Sequence, residues 1–302
     1  MDKKNYLFIV GAPKCATSSL AGWLATLRGA VLARGKETLF FTDFARRSWS
    51  GPGHDFAANV PRTDDAFRAL FDHDPEASLR IEASTDNLAN DAACDAIGAF
   101  ARRDDVGSVK LVAVTRDPVA RIVSEFEHTL RLGWQGPDLL ASLHQEDTRR
   151  RTGWHPLFYH IARSRYATQI SRYRARFGSD LLVLDYHTLS EPETLMRLAA
   201  FSGRDPAGAA EPLARQNTRA AYARPRMQRI LSQPLLRGLG RAVVPGGLRS
   251  HVRSFLRGPP KDRYVPTAQE RSFILEALGP EIEACRADPE ISTMHWTSLE
   301  TD

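Results

Sequence analysis

The sequence predicts an α/β fold, a parallel β-sheet flanked on both faces by helices. Three observations carry this prediction. Short continuous apolar runs recur along the 302-residue chain, as buried parallel strands do. Segments with apolar residues at helical spacing lie between them. Strand and helix signals alternate, the order that winds a parallel sheet.

The elements follow in order. "YLFIVG", Tyr6 to Gly11, is an apolar run closed by glycine, a first buried strand. Past a loop of small residues, Leu20, Trp23, Leu24 and Leu27 form a helical stripe, with Thr17, Ser18 or Ser19 at its start. "LRIEAS" adds a shorter strand, and "SVKLVAVTRDP" a long buried one that ends at Thr115. Pro118 then opens a helix whose stripe is Ile122, Val123, Phe126 and Leu130. "PLFYHIARSRYATQISRYRARFG" reads as one helix ended by Gly178, and "DLLVLDY" as the strand after it. A last helix forms around "TAQERSFILEAL".

Composition sets the outer bounds. With 42% hydrophobic and 25% charged residues, the chain is an ordinary globular protein large enough for a core without disulfides. Cys15, Cys94 and Cys285 are sparse and lack C-x-x-C spacing, which argues for a reducing compartment and against structural zinc. Pro13 and Lys14 interrupt the N-terminal apolar run, so it does not read as a signal peptide. No stretch reaches the roughly 18 apolar residues of a membrane span. The expectation is a cytoplasmic protein, with contact at the inner membrane surface left open. A formal net charge of +5 points to an anionic partner without naming it. From Pro212 to Lys261 no acidic residue occurs while arginines recur, so an Arg-rich insertion at about 212–260 is expected within one domain spanning 1–302. Arginine suits bidentate contacts to anions, and the stretch lacks the aromatic interleaving of single-strand nucleic-acid binders.

Two motifs carry chemistry. "IVGAPKCATSS", Ile9 to Ser19, joins a strand to a helix through small residues, which turns backbone N–H groups and the helix N-terminus toward one pocket suited to phosphate. Its lysine is displaced from the triphosphate pattern, G-x-x-x-x-G-K followed by Ser or Thr, and the second glycine is missing. The second motif is "VTRDPVARIVSEFEHTLRLG". Arg116 follows a buried strand at its carboxyl end, where ligands bind in such sheets, and Ser124 lies one helical stretch further on. Read from the residues alone, a surface turn, an Arg116–Asp117 salt bridge and a Lys36–Glu37 ion pair remain alternatives.

Taken together these segments resemble the sulfotransferases that use 3'-phosphoadenosine 5'-phosphosulfate, PAPS, in particular the heparan-sulfate type and its bacterial relatives. "GAPKCATSSL" and "RDPVARIVS" resemble their two nucleotide signatures. "GKETLFF" resembles a K-E-x-x-F-F segment, "IEAST" an E-x-S/T-P segment, "SRYATQISRYRARFGSDLLVLDYHTL" a later helix–strand signature, and "KDRYVP" a K-G-R-x-x-P loop. The similarity runs from about Tyr6 to Leu278 and is weakest in the Arg-rich stretch.

The resemblance implies the P-loop-like fold of sulfotransferases. Lys14, Cys15, Ala16, Thr17, Ser18 and Ser19 would hold the 5'-phosphosulfate, Arg116 and Ser124 the 3'-phosphate, and Lys261, Arg263 and Tyr264 would close over the nucleotide. Lys14 would stabilise charge on the leaving oxygen, and Glu37 would act as general base, with His128 as the alternative. PAP would be the nucleotide product, and no metal is expected. The acceptor would carry a hydroxyl, on an anionic glycan or glycolipid or else on a small secondary metabolite; nucleic acid is not expected. A P-loop kinase and a non-catalytic nucleotide-binding protein are the rival classes. Four departures from the family pattern bear on the acceptor side and the closing loop: Leu39 where some relatives carry His, Ala83 where they often carry Lys, Thr85-Asp86 in place of Pro, and Asp262 in place of Gly.

Overall fold

A computed structural model describes residues 3–205, 213, 221–222, 257–258 and 264–300. Lys261, Arg263, Asp262 and nearly all of the Arg-rich stretch lie outside them.

The sheet is five-stranded and parallel. Strands β1 (Lys4–Gly11), β2 (Ala30–Leu32), β3 (Leu79–Glu82), β4 (Val106–Thr115) and β5 (Leu181–Asp185) lie in the order β2-β3-β1-β4-β5. The central strand explains itself from sequence: Tyr6 to Val10 are all at most 1% exposed, so both faces of β1 are covered. The chain runs from β1 out to the edge strand β2, returns to β3 beside β1, then crosses to the other side for β4 and β5. The loops after β1 and β4 therefore leave in different directions, and a crevice opens at their carboxyl ends.

Around the sheet lie α1 (Thr17–Leu24), α2 (Asp64–Arg68), α3 (Asp91–Ala101), α4 (Pro118–Arg131), α5 (Leu139–His144), α6 (Glu146–Arg151), α7 (Tyr166–Phe177), α8 (Pro192–Phe201) and α9 (Ala268–Ala287). A two-residue antiparallel pair joins β6 (Ala221–Tyr222) to β7 (Arg257–Gly258). In α4, Pro118 occupies the first turn and the Asp117 carboxylate accepts from Ala120 N at 3.0 Å, so the helix starts directly after Arg116. In α9, Thr267 and Glu270 form a capping box, and Ile274, Leu278, Ile282 and Cys285 are buried.

Two expectations change. The helix expected from Pro156 to Phe177 begins only at Tyr166; before it stand two single 3₁₀ turns, Pro156–Phe158 and Ala162–Ser164. Side chains from elsewhere take the backbone groups a helix would use. Arg121 donates to His160 O at 2.6 Å, and the Glu146 carboxylate accepts from Ile161 N at 2.7 Å and Ala162 N at 2.9 Å. The edge strand β2 is the other difference: at three residues it is too short to show a period. Leu27, placed in the first helical stripe, lies just past the end of α1 but is buried as expected.

Candidate active site

The loop after β1 bends back on itself without glycine. Lys14 (φ 68°) and Ala16 (φ 57°) are left-handed, and α1 starts immediately after Ala16. Alternation into the left-handed region folds successive N–H groups toward one concavity, a nest for an anion. Two more non-glycine residues take positive φ among the described residues, Glu37 (67°) and Leu39 (56°). All four line one cavity of about 710 Å³, along with Thr17, Ser18, Thr85, His128 and Arg163. Left-handed backbone costs roughly 1–2 kcal/mol per non-glycine residue, and such outliers gather where function over-determines the chain.

The segment carrying Glu37 is held from both sides. Phe41 sits in the core with its ring edge-on to Phe8 at 5.1 Å, and Phe40 stacks on Phe67 at 4.5 Å. Below it, the buried Glu82 carboxylate accepts from Thr38 Oγ1 at 2.8 Å and from the Ser84 hydroxyl, whose oxygen accepts from Leu39 N at 2.8 Å. Burial pushes the Glu82 carboxyl above its ordinary range despite those donors. The "IEAST" segment thus forms the floor under "GKETLFF".

Glu37 itself accepts from Thr85 N at 2.8 Å, from Thr85 Oγ1 at 3.1 and 3.2 Å, and from Lys36 Nζ at 2.5 Å. The Lys36 pair and a place on the cavity wall are therefore compatible. Thr85, which stands where the family pattern has Pro, fixes the carboxylate. Its role was not legible from the motif alone. The next residue, Asp86, joins a buried chain of charge: Arg163 bridges it at 3.1 Å to Glu125 at 3.3 Å, which also meets Arg121 at 3.1 Å and His160 Nδ1 at 2.9 Å. Burial alone would raise the Glu125 pKa, but Arg121, Arg163 and His160 outweigh it and hold the carboxyl well below its usual range. Asp86 goes the other way, up to about 6, because burial exceeds the pull of Arg163.

Lys14 is half-buried, and among the described residues its ammonium has no hydrogen-bond or ion-pair partner. Burial lowers its pKa to about 8, opposed by Glu125 and assisted by Arg131, Arg121 and Arg163. His128 lines the same cavity, and burial with Lys14 and Arg131 nearby lowers its pKa to about 3, so its imidazole is neutral near pH 7. Cys15 and Ser19 do not line this cavity. Cys15 is fully buried, and burial raises its thiol to about 11, which removes it as a reactive group in the resting protein.

Arg116, Ser124 and Tyr264 come together in a second, smaller cavity of about 260 Å³, with Val123, Arg271 and Ser298. Arg116 links it to the first loop by donating from Nη1 to Lys14 O at 3.0 Å, and its guanidinium stacks 4.4 Å above the Tyr186 ring. The Arg116–Asp117 alternative is not realised: Asp117 instead caps α4 and accepts from Ser298 N at 2.7 Å. Tyr264 is set by Glu127, which accepts from its N–H at 2.9 Å, and by Glu270, which accepts from its hydroxyl at 2.6 Å. Among the described residues, Arg116 Nε and Ser298 Oγ are buried there without a hydrogen-bond partner. Each of the two linked cavities thus holds a cation with no carboxylate partner among the described residues, Lys14 in one and Arg116 in the other, and a doubly anionic ligand would fit this arrangement. Among the described residues, no helix is long and apolar enough to cross a membrane.

A parallel α/β sheet with a glycine-poor, anion-nest loop after its first strand and an arginine at the next strand end defines the fold class and marks the crevice as an anion site. No family model matches the sequence, and no curated protein matches it. Solved structures do. A sulfotransferase from Alicyclobacillus acidocaldarius aligns with a TM-score of 0.63 at 25% identity, covering 86% of this chain and 98% of that one. The sulfotransferase domain of the Synechococcus PCC 7002 olefin synthase covers 92% of this chain and 95% of its own at a TM-score of 0.44 and 15% identity, too distant to add weight. The fold is that of the sulfotransferases, and the chemistry it supports is sulfuryl transfer.

Proposed function

We propose that this chain moves a sulfuryl group from PAPS to the hydroxyl of a carbohydrate or glycolipid acceptor. The observation that carries the reading is the half-buried Lys14 ammonium, without a partner among the described residues, lining the same cavity as Glu37. When bound, PAPS supplies an activated sulfuryl group on a phosphate leaving group. The loop N–H groups, Thr17 and Ser18 hold the 5' end, and Arg116 with Ser124 holds the 3'-phosphate. Lys14 neutralises charge as it grows on the leaving oxygen, and Glu37 takes the acceptor proton. Such transfer depends chiefly on in-line positioning and charge stabilisation, which pre-set groups supply without reorganising.

Turnover of labelled PAPS against a panel of hydroxylated acceptors tests the reading. Arg116→Ala is expected to abolish the thermal shift caused by PAP, and Glu37→Gln to cut turnover while leaving that shift intact. No PAP binding by the wild-type chain would overturn the reading. A second base is favoured by one observation, the neutral His128 in the same cavity. If Glu37→Gln keeps full turnover and His128→Gln loses it, His128 is the base.

A further inference from the structure

Beside the Lys14–Glu37 cavity lies another of about 510 Å³, and the two share Asp86, Pro156 and Arg163 as lining residues. Nothing in the catalytic reading uses it. Its walls are arginine laid against aromatic rings. Arg47 lies over Trp49 at 5.9 Å, and Arg150 over Tyr159 at 5.8 Å. Trp49 is held from behind, packing edge-on to Phe44 at 5.2 Å and donating from Nε1 to Phe44 O at 3.0 Å.

The acids lining this cavity are mostly engaged. Asp43 pairs with Arg47 at 2.5 Å, Asp86 with Arg163 at 3.1 Å, and Asp91 with Arg172 at 2.5 Å. Arg150 and Arg151, exposed at the end of α6, pair with no described carboxylate, and Asp147 is the one lining acid left over. Two guanidinium groups thus stand against one free carboxylate. Arg150 lies over the Tyr159 ring and both line the cavity, so a guanidinium with five N–H donors stands beside an aromatic wall, an arrangement that suits an oxyanion. At the neck, Arg163 is 2% exposed, and its Nε and Nη1 lack well-aligned hydrogen-bond acceptors.

The geometry points to an acceptor that carries an anionic group, a carboxylate or a sulfate, besides the hydroxyl it presents to Glu37. This rests on the sulfotransferase reading above. Arg150 and Arg151 hold the anionic group, the Trp49 and Tyr159 rings flank the acceptor body, and the Asp86–Arg163 neck connects this subsite to the reacting hydroxyl. Arg150 and Arg151 are specificity-determining residues on this reading, not catalytic ones.

The experiment uses the full chain saturated with PAP, so that the nucleotide cavities are filled, and two probes that differ only in a carboxylate: 4-nitrophenyl β-D-glucuronide and 4-nitrophenyl β-D-glucoside. Calorimetric titration is expected to show the glucuronide bound at least roughly tenfold tighter, the scale of one charge-assisted contact. The double variant Arg150→Gln, Arg151→Gln is expected to erase that difference while keeping PAP affinity and the melting temperature. Equal affinity for the two probes, no binding of either, or a preference that survives the double variant overturns the inference. Failure to bind PAP at all overturns the sulfotransferase reading instead, so the two failures are distinct.

Discussion

Removing the Lys14 charge should stabilise the resting protein while disabling it. The lysine is half-buried in the cavity wall with three arginines near and, among the described residues, no carboxylate paired to it, and its pKa falls from 10.5 to about 8. At about 1.4 kcal/mol per pH unit that drop corresponds to about 3 kcal/mol, discounted to about 2 kcal/mol because the side chain keeps some contact with water. In the unfolded chain Lys14 titrates at its ordinary 10.5. Between pH 8 and 10.5 the unfolded state therefore holds the extra proton, and wild-type stability rises with pH across that window. At pH 7 both states are charged and the whole cost is present. Lys14→Met keeps the aliphatic stem and deletes the charge. It should raise Tm at pH 7 by about 4–8 °C at the usual ~2–4 °C per kcal/mol for a chain of this size. The gain over wild type should shrink toward pH 10. Saturating PAP should raise the wild-type Tm further and move the variant far less, and sulfuryl transfer by the variant should fall by roughly 100-fold or more. Differential scanning calorimetry from pH 7 to 10, with and without PAP, reads all of this. A folded Lys14→Met protein that melts at or below the wild-type temperature at pH 7 would refute the claim that an unpaired buried charge sits in the loop.

Three further outcomes follow from the same geometry. The pH profile of kcat/KM for the donor should fall above about pH 8 as Lys14 loses its proton, and the limb should move upward in Lys14→Arg. Thr85→Val keeps the backbone donor to Glu37 but deletes the hydroxyl contacts at 3.1 and 3.2 Å; kcat should drop by roughly tenfold with little change in PAP affinity, checked by steady-state kinetics and calorimetry. Glu125→Gln leaves Arg121 and Arg163 buried without their shared carboxylate and should destabilise the fold by about 3–5 kcal/mol in urea denaturation, whereas Ser124→Ala, one residue away and half-buried, should cost under about 1 kcal/mol.

The sheet was legible because burial on both faces leaves a strong trace: β1, β4 and β5 are continuous apolar runs. The start of α4 was legible because Asp117 and Pro118 are local capping signals. What stayed hidden is non-local. The two 3₁₀ turns before Tyr166 exist because Arg121 and Glu146, far away in sequence, take their backbone groups. Glu37 could be named from its motif, but not its partner Thr85, which lies 48 residues away. The left-handed turns at Lys14 and Ala16 have no glycine to announce them. The Arg-rich stretch that, with the net charge of +5, suggested an anionic partner lies almost wholly outside the described residues, and the arginines that now carry that idea are Arg150 and Arg151 of α6.

The departures from the family pattern then acquire a physical sense. Proline directly after the Ser of the E-x-S/T-P segment would offer neither a backbone N–H nor a hydroxyl. Here the position is Thr85, which donates both to Glu37, and the next residue, Asp86, is held by Arg163, which is held in turn by Glu125 of α4. The helix that follows Arg116 is thereby tied to the boundary between the Lys14–Glu37 cavity and its neighbour. Asp86 is also poised, with a pKa near 6 set by burial against Arg163, so a bound anion at this neck would favour its protonated form and a bound cation its charged form. The ion-paired aspartate directly after this segment thus makes the boundary shared by the two cavities electrostatic, which on the proposed reading fits a site that selects its acceptor by charge.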